Sequence, residues 1–276
     1  MTGLETKIRC WLWNRKMIFR NSFLCLITIA VAFMVPIQVC AQNDHASVTR
    51  AVQEAKKAGV SDETIGRLLS LGYDNGIDAA PMANLVRIIG EVGKENLPQA
   101  PFVNKIEEGL AKHVPAASIE QVLNQKKQNY LFTMSVVAGY LKNHNLSQDI
   151  SARDFVGIAE SLNGGLSPAD LSSTMERSPG VSLSRIRRAV NLQASLKQAG
   201  FDPELSDRII STGLQYNFFT AQQRGFARAI VTGKRKGIPD DEIAEAALST
   251  IRGWDTVANF CSKIGIPYSE VAQYAY

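Results

Sequence analysis

A short corner motif, written over and over, constrains this chain more than any other feature. One copy is Gly237-Ile238-Pro239-Asp240-Asp241-Glu242-Ile243: a glycine, an aliphatic residue, a capping residue, and a second aliphatic residue five places after the first. It recurs as Gly59-Val60-Ser61 with Ile65, Gly165-Leu166-Ser167 with Leu171, Gly180-Val181-Ser182 with Ile186, and Gly265-Ile266-Pro267 with Val271. His113-Val114-Pro115 with Ile119 replaces only the glycine, and Gly200-Phe201-Asp202-Pro203 brings its second aliphatic residue, Leu205, one place early.

Each part of the motif answers a need of a helix end. A helix that stops leaves carbonyls without partners, and a left-handed residue after its last turn satisfies them. The next helix begins with free N–H groups, which a Ser or Asp side chain accepts; such a cap contributes about 1 kcal/mol relative to Ala. With Ser61 as cap, Val60 and Ile65 stand at the two positions of a hydrophobic staple. Ser167-Pro168 and Asp202-Pro203 place proline at the first helical position, where its missing N–H is not needed. Asp240, Asp241, Glu242 and Asp62-Glu63 fall in first turns, where the helix dipole favours acids.

Between these corners the apolar residues follow a helical period, and strand patterns are nearly absent. The spacing predicts helices over 46–58, 62–72, 80–95, 99–112, 116–126, 128–143, 151–162, 168–177, 183–199, 203–213, 219–236, 240–252, 256–264 and 268–275. The expected fold is all-α, an array or compact bundle of short antiparallel helical hairpins forming one domain over 42–276. Residues 55–98, moved by 141 places, fall on 196–239 without a gap. Lys56/Lys197, Ala58/Ala199, Gly59/Gly200, Glu63/Glu204, Arg67/Arg208, Ser70/Ser211, Gly72/Gly213, Arg87/Arg228 and Pro98/Pro239 are then identical pairs. Such a match predicts a partial internal duplication of the irregular helical-repeat kind. The tetratricopeptide, ankyrin and leucine-rich signatures are absent from the sequence.

The chain carries a formal net charge of +4, from 30 basic and 26 acidic residues, and that excess belongs to its start. Up to Ala41 there are five basic residues (Lys7, Arg9, Arg15, Lys16 and Arg20) and one acid, Glu5, which leaves 25 of each sign after it. A balanced body removes the main argument for nucleic-acid binding. The start itself reads as a signal peptide: Arg20, an apolar run from Phe23 to Val35, then Val39-Cys40-Ala41 with cleavage before Gln42. Met17 makes a more ordinary start for such a leader than Met1. The rival reading is an uncleaved membrane anchor through residues 22–40, disfavoured by Pro36 and Gln38. The expected location is therefore periplasmic or extracellular.

Chemistry is sparse. Three of four cysteines lie in the leader, and Cys261 alone leaves the body without an intrachain disulfide or a thiolate metal site; it reads as a small buried apolar residue, with an intermolecular disulfide as the minority reading. His45, His113 and His144 have no partner at metal-ligand spacing. No phosphate loop and no Gly-x-Ser-x-Gly nucleophile elbow is present. Glu160 is the nearest candidate for a lone catalytic acid. The sequence thus names no catalytic residue, no cofactor and no metal site. It points to a non-enzymatic protein-binding or scaffold module of the cell envelope, with an envelope enzyme using carboxylates as the alternative from another class. A structural component anchored by an uncleaved leader is a third reading. The candidate partner-binding residues are Tyr216, Phe218, Arg185, Arg188, Tyr274 and Tyr276, aromatic and arginine side chains of the kind enriched at interfaces. Phe219, Phe226 and Ile230 share a helical face and are expected in the core.

Overall fold

The computed structural model describes residues 36–144, 150–223 and 225–272, with side chains from His45 onward. The expected signal peptide, apart from its last residues, lies outside them, as do Tyr274 and Tyr276. The described residues form thirteen α-helices, one short 3-10 turn and no strand. The helices are α1 (Pro36–Lys57), α2 (Asp62–Asp74), α3 (Ala79–Lys94), α4 (Ala100–Ala111) and α5 (Ala116–Asn143). They continue as α6 (Ala152–Asn163), α7 (Pro168–Glu176), α8 (Leu183–Gln198) and α9 (Pro203–Gln215). After the 3-10 turn Ala221–Gln223 come α10 (Phe226–Arg235), α11 (Asp240–Gly253), α12 (Val257–Lys263) and α13 (Tyr268–Ala272). No described helix is long and apolar enough to cross a membrane.

The corners terminate helices as their chemistry requires. Gly59, Gly165, Gly180, Gly200, Gly237 and Gly265 all have φ between 67° and 95°, and His113 takes the same left-handed seat at 53°. In every one of these corners the next helix starts three residues later. Four further corners lacked the full written motif: Gly76, Asn96, Asn217 and Trp254 also have positive φ. The amide after the left-handed residue reaches back five residues to the preceding helix. It does so from Val60 to Ala55, Ile77 to Gly72, Val114 to Gly109, Leu166 to Ser161, Phe201 to Leu196, Phe218 to Gly213, Ile238 to Gly233, Asp255 to Thr250 and Ile266 to Cys261, at 2.8–3.2 Å. This is the long bond of the Schellman motif. Gly180 departs from the rule: Val181 donates only to Ser178, and Ser182 makes no side-chain cap bond. Elsewhere the caps form, with Ser61 accepting from Thr64, Ser167 and Asp170 closing a reciprocal capping box, and Asp202 accepting from Glu204 and Leu205. Ile238 and Ile243 converge over Gly233, where a Cβ would sit 3.6 Å and 3.3 Å from their Cδ1 atoms.

The chain divides into two compact units: residues up to Lys94 with Ile106–Ala117, and Glu95–Lys105 with the remainder from Ser118. In the first, α1 packs along α3. The approach is close because Gly90 lacks a side chain; a Cβ there would lie 3.1 Å from the Cα of Ala55. Ile65, Leu68, Leu85, Ile89, Ile106 and Leu110 are buried in this unit. In the second, α8 packs against α6, α7, α9 and α10, and α11 against α9, α10 and α12. One apolar cluster gathers Val137, Ile158, Leu171, Ile186 and Val190; another gathers Phe201, Ile209, Phe218, Phe226, Ile243, Ile251 and Phe260.

Three expectations need correction. Segments 116–126 and 128–143 are one continuous helix, α5. The segment expected to be helical from 219 instead turns tightly, with Thr220 donating to Phe218 at 2.7 Å, and α10 starts only at Phe226. The first helix, expected from residue 46, reaches back to Pro36.

Candidate binding groove

The late start of α10 opens a cleft. In place of a first helical turn, the segment 220–223 turns over α8, and Gly225 in front of α10 stands in the left-handed region, with no side chain capping the helix behind it. Beneath it is a cavity of about 240 Å³ lined by Arg153, Arg187, Arg188, Asn191, Ser195, Phe219, Thr220, Gln223 and Phe226, among others. A shallower trough of about 730 Å³ continues from it along α8 and α10, lined by Ser195, Gln198, Ala199, Ala227, Arg228, Val231 and Arg235. Ser195 and Ala227 border both, so the two form one groove. Five arginines line this groove, and no acidic side chain among the described residues does.

The arginines are held differently. Arg187 Nε donates to Asp154 at 2.7 Å, both side chains being mostly buried. Burial pushes the Asp154 carboxyl up, but the bonds from Ser151 and Arg187 outweigh it and hold it below the ordinary carboxylate range. Arg188 Nη1 donates to Ser184 Oγ at 2.8 Å and lies 3.4 Å from the Phe219 carbonyl, which ties α8 to the folded-over segment. Arg228 Nη1 donates to the Val271 carbonyl at 3.2 Å. Arg153 and Arg235 are exposed, and no carboxylate among the described residues pairs with either. Thr220 Oγ1 and Gln223 Oε1, on the segment over the cavity, are buried without a hydrogen-bond partner.

The residues singled out from sequence separate into three groups. Arg188 lines the groove. Arg185 points instead to the neighbouring corner, where its Nη1 donates to Asn217 Oδ1 at 2.7 Å beside Tyr216, which is 40% exposed. Trp254, 47% exposed, completes that corner by donating Nε1 to the Tyr216 carbonyl at 3.2 Å. Phe218 is corrected: it is fully buried, stacked edge-on to Phe219, Phe226 and Trp254, and is a core residue. Phe219, Phe226 and Ile230 are in the core as expected. Arg153, Arg228, Arg235, Asn191 and Gln198 were not singled out together. The seven-residue spacing of Arg228 and Arg235 was a legible signal, since it places both on one helix face.

Glu160 belongs to a different arrangement. It takes an ion pair from Lys126 and a hydrogen bond from the Tyr130 hydroxyl, and Asn163 donates to its other oxygen at 3.2 Å. Lys126 is only 7% exposed and its Nζ sits over the Phe102 and Tyr130 rings, 5.6 Å and 5.3 Å from their centroids. Burial pushes the Glu160 carboxyl up, but Lys126 and Tyr130 outweigh it and hold it below its usual range. Burial and Glu160 together push the Tyr130 hydroxyl well above its usual value. A general acid needs the opposite shift, so Glu160 is held as the charged partner of a buried lysine. Cys261 is fully buried, and burial raises its thiol. No group of three His, Cys, Asp or Glu side chains gathers for a metal among the described residues.

No known protein family, characterised protein or solved structure matches the chain.

Proposed function

We propose that this is an exported, non-enzymatic protein-binding module of the cell envelope, built as an irregular helical repeat with an internal duplication, and that the groove between α8 and α10 is its binding surface. The observation that carries the binding reading is the segregation of charge. A body with equal numbers of acids and bases lines one open groove, among the described residues, with five arginines and no carboxylate. Several acids elsewhere are taken up in caps and ties between helices, as Asp154, Glu160, Asp170 and Asp207 are.

The repeat reading rests on spacing. The left-handed residues Gly59, Gly76, Asn96 and His113 stand 141 positions before Gly200, Asn217, Gly237 and Trp254. Helices α2 and α9 match at both ends under the same shift, and α5 and α12 match at their starts. Ties between helices join residues about one helix pair apart: 33 positions for Arg187 to Asp154, 34 for Gln198 to Gly164, 37 for Arg208 to Glu245 and 38 for Asp202 to Asp240. Nearest-neighbour linkage of this kind is what stacked helical repeats have. Export rests on the leader, with cleavage before Gln42.

Chemical crosslinking followed by capture from the envelope fraction tests the function. A specific envelope protein should be recovered with the chain; recovery of none contradicts the reading. The mass of the mature chain tests export: it should begin at Gln42, whereas an intact leader would make the anchored alternative the better account.

A further inference from the structure

Resting on that reading, we infer that the groove takes an extended acidic segment of the protein partner, read by the arginines of α6, α8 and α10. Arginine is the side chain suited to this work, because its planar fork meets a carboxylate with two parallel bonds and is weakly hydrated. The arginines are not gathered at one point, as they would be around a single small anion. Arg153 comes from α6, Arg188 from one end of α8, and Arg228 and Arg235 stand two helical turns apart on α10. From Arg188 to Gln198 the groove follows ten residues of α8, which is about 15 Å. An extended peptide covers that length with roughly four or five residues.

The other lining groups fit a peptide as well. Asn191 keeps its amide N–H groups and Gln198 its amide oxygen for a peptide backbone, their other amide atoms being bonded to Ser161 and to the Gly164 carbonyl. Leu192, Phe226 and Val231 supply an apolar floor for the stems between acidic side chains. Arg153 and Arg235, exposed and without a carboxylate partner among the described residues, sit at the two ends and are available for capture. Arg187, already tied to Asp154, instead braces the floor.

The test uses the full chain and a fluorescein-labelled peptide of alternating Asp and Ala with an amidated end, read by fluorescence anisotropy. Saturable binding is expected, weakened by added salt, and absent for the matching peptide of Asn and Ala. The double variant Arg153→Gln/Arg235→Gln should weaken binding about tenfold or more. Both side chains are exposed, so its thermal midpoint should be unchanged, and Arg153→Lys/Arg235→Lys should restore part of the affinity. No saturable binding, or equal binding by the Gln variant, overturns the inference. Displacement of the peptide by millimolar inorganic phosphate overturns it in favour of a phosphoryl ligand. Crosslinked capture separates this inference from the broader reading: a partner recovered equally by wild type and Gln variant sinks the groove assignment alone, whereas no partner with wild type sinks both.

Discussion

Lys126 is the residue whose role is least expected from its type. It stands in the run Gln125-Lys126-Lys127-Gln128-Asn129, which reads as a polar corner, yet it turns inward, pairs with Glu160 and lies against two aromatic rings. Asn129 likewise donates to Asn163 at 2.8 Å. Polar residues that pair across helices look like a loop when only their hydropathy is read, which is why the sequence predicts two helices where α5 is one. Replacing the carboxylate by an amide leaves a buried ammonium without a counter-charge, with only an amide oxygen to accept from it and from the Tyr130 hydroxyl. Glu160→Gln should therefore cost about 2 kcal/mol in urea unfolding, at the low end for such pairs because the Glu160 side chain is 38% exposed and solvent screens it. The pH dependence has a definite sign. Glu160 is depressed from an ordinary value of 4.5, so its contribution is fully present above that pH and is lost as pH falls through the lower folded value. The variant should lack that acid-limb slope. Thr220 predicts the opposite outcome: its hydroxyl is buried without a partner, so Thr220→Val should be neutral or stabilising by up to about 1 kcal/mol in the same assay. A clear loss would show that the hydroxyl has a role the hydrogen bonds do not reveal.

Helix ends were the most legible part of the chain and helix neighbours the least. The corner at Gly237 was read as stop, staple and cap, and the bond from Ile238 to Gly233 with Ile243 close by is that arrangement. The corners at Asn96, Asn217 and Trp254 escaped because no glycine marks them; residues other than glycine hold the same left-handed seat at φ of 52° to 55°. Residues 219–223 read as helical because Phe219 and Phe226 share a helical period, and both are indeed buried. What periodicity does not carry is that Phe219 covers Gly213: a Cβ at Gly213 would collide with its ring. Gly213→Ala should displace Phe219 and the segment that follows it, costing about 1–3 kcal/mol by thermal or urea unfolding. An unchanged stability would mean that this packing is loose.

Across the whole chain, composition predicted a body without net charge, and that balance conceals how the charge is distributed. Arginines from α6, α8 and α10 come together only because those helices are neighbours, and adjacency of helices is not written in any one of their sequences. Arg188 is the one candidate partner-binding residue that lines the groove, and Arg185, three positions away, faces a different corner. The most direct measurement of the binding account places a photo-crosslinking amino acid at Gln198, in the groove, and at Glu245, an exposed position on α11, in cells. The account predicts an adduct with an envelope protein from position 198 that is absent from position 245. No adduct from the groove position, or equal adducts from both, would contradict it.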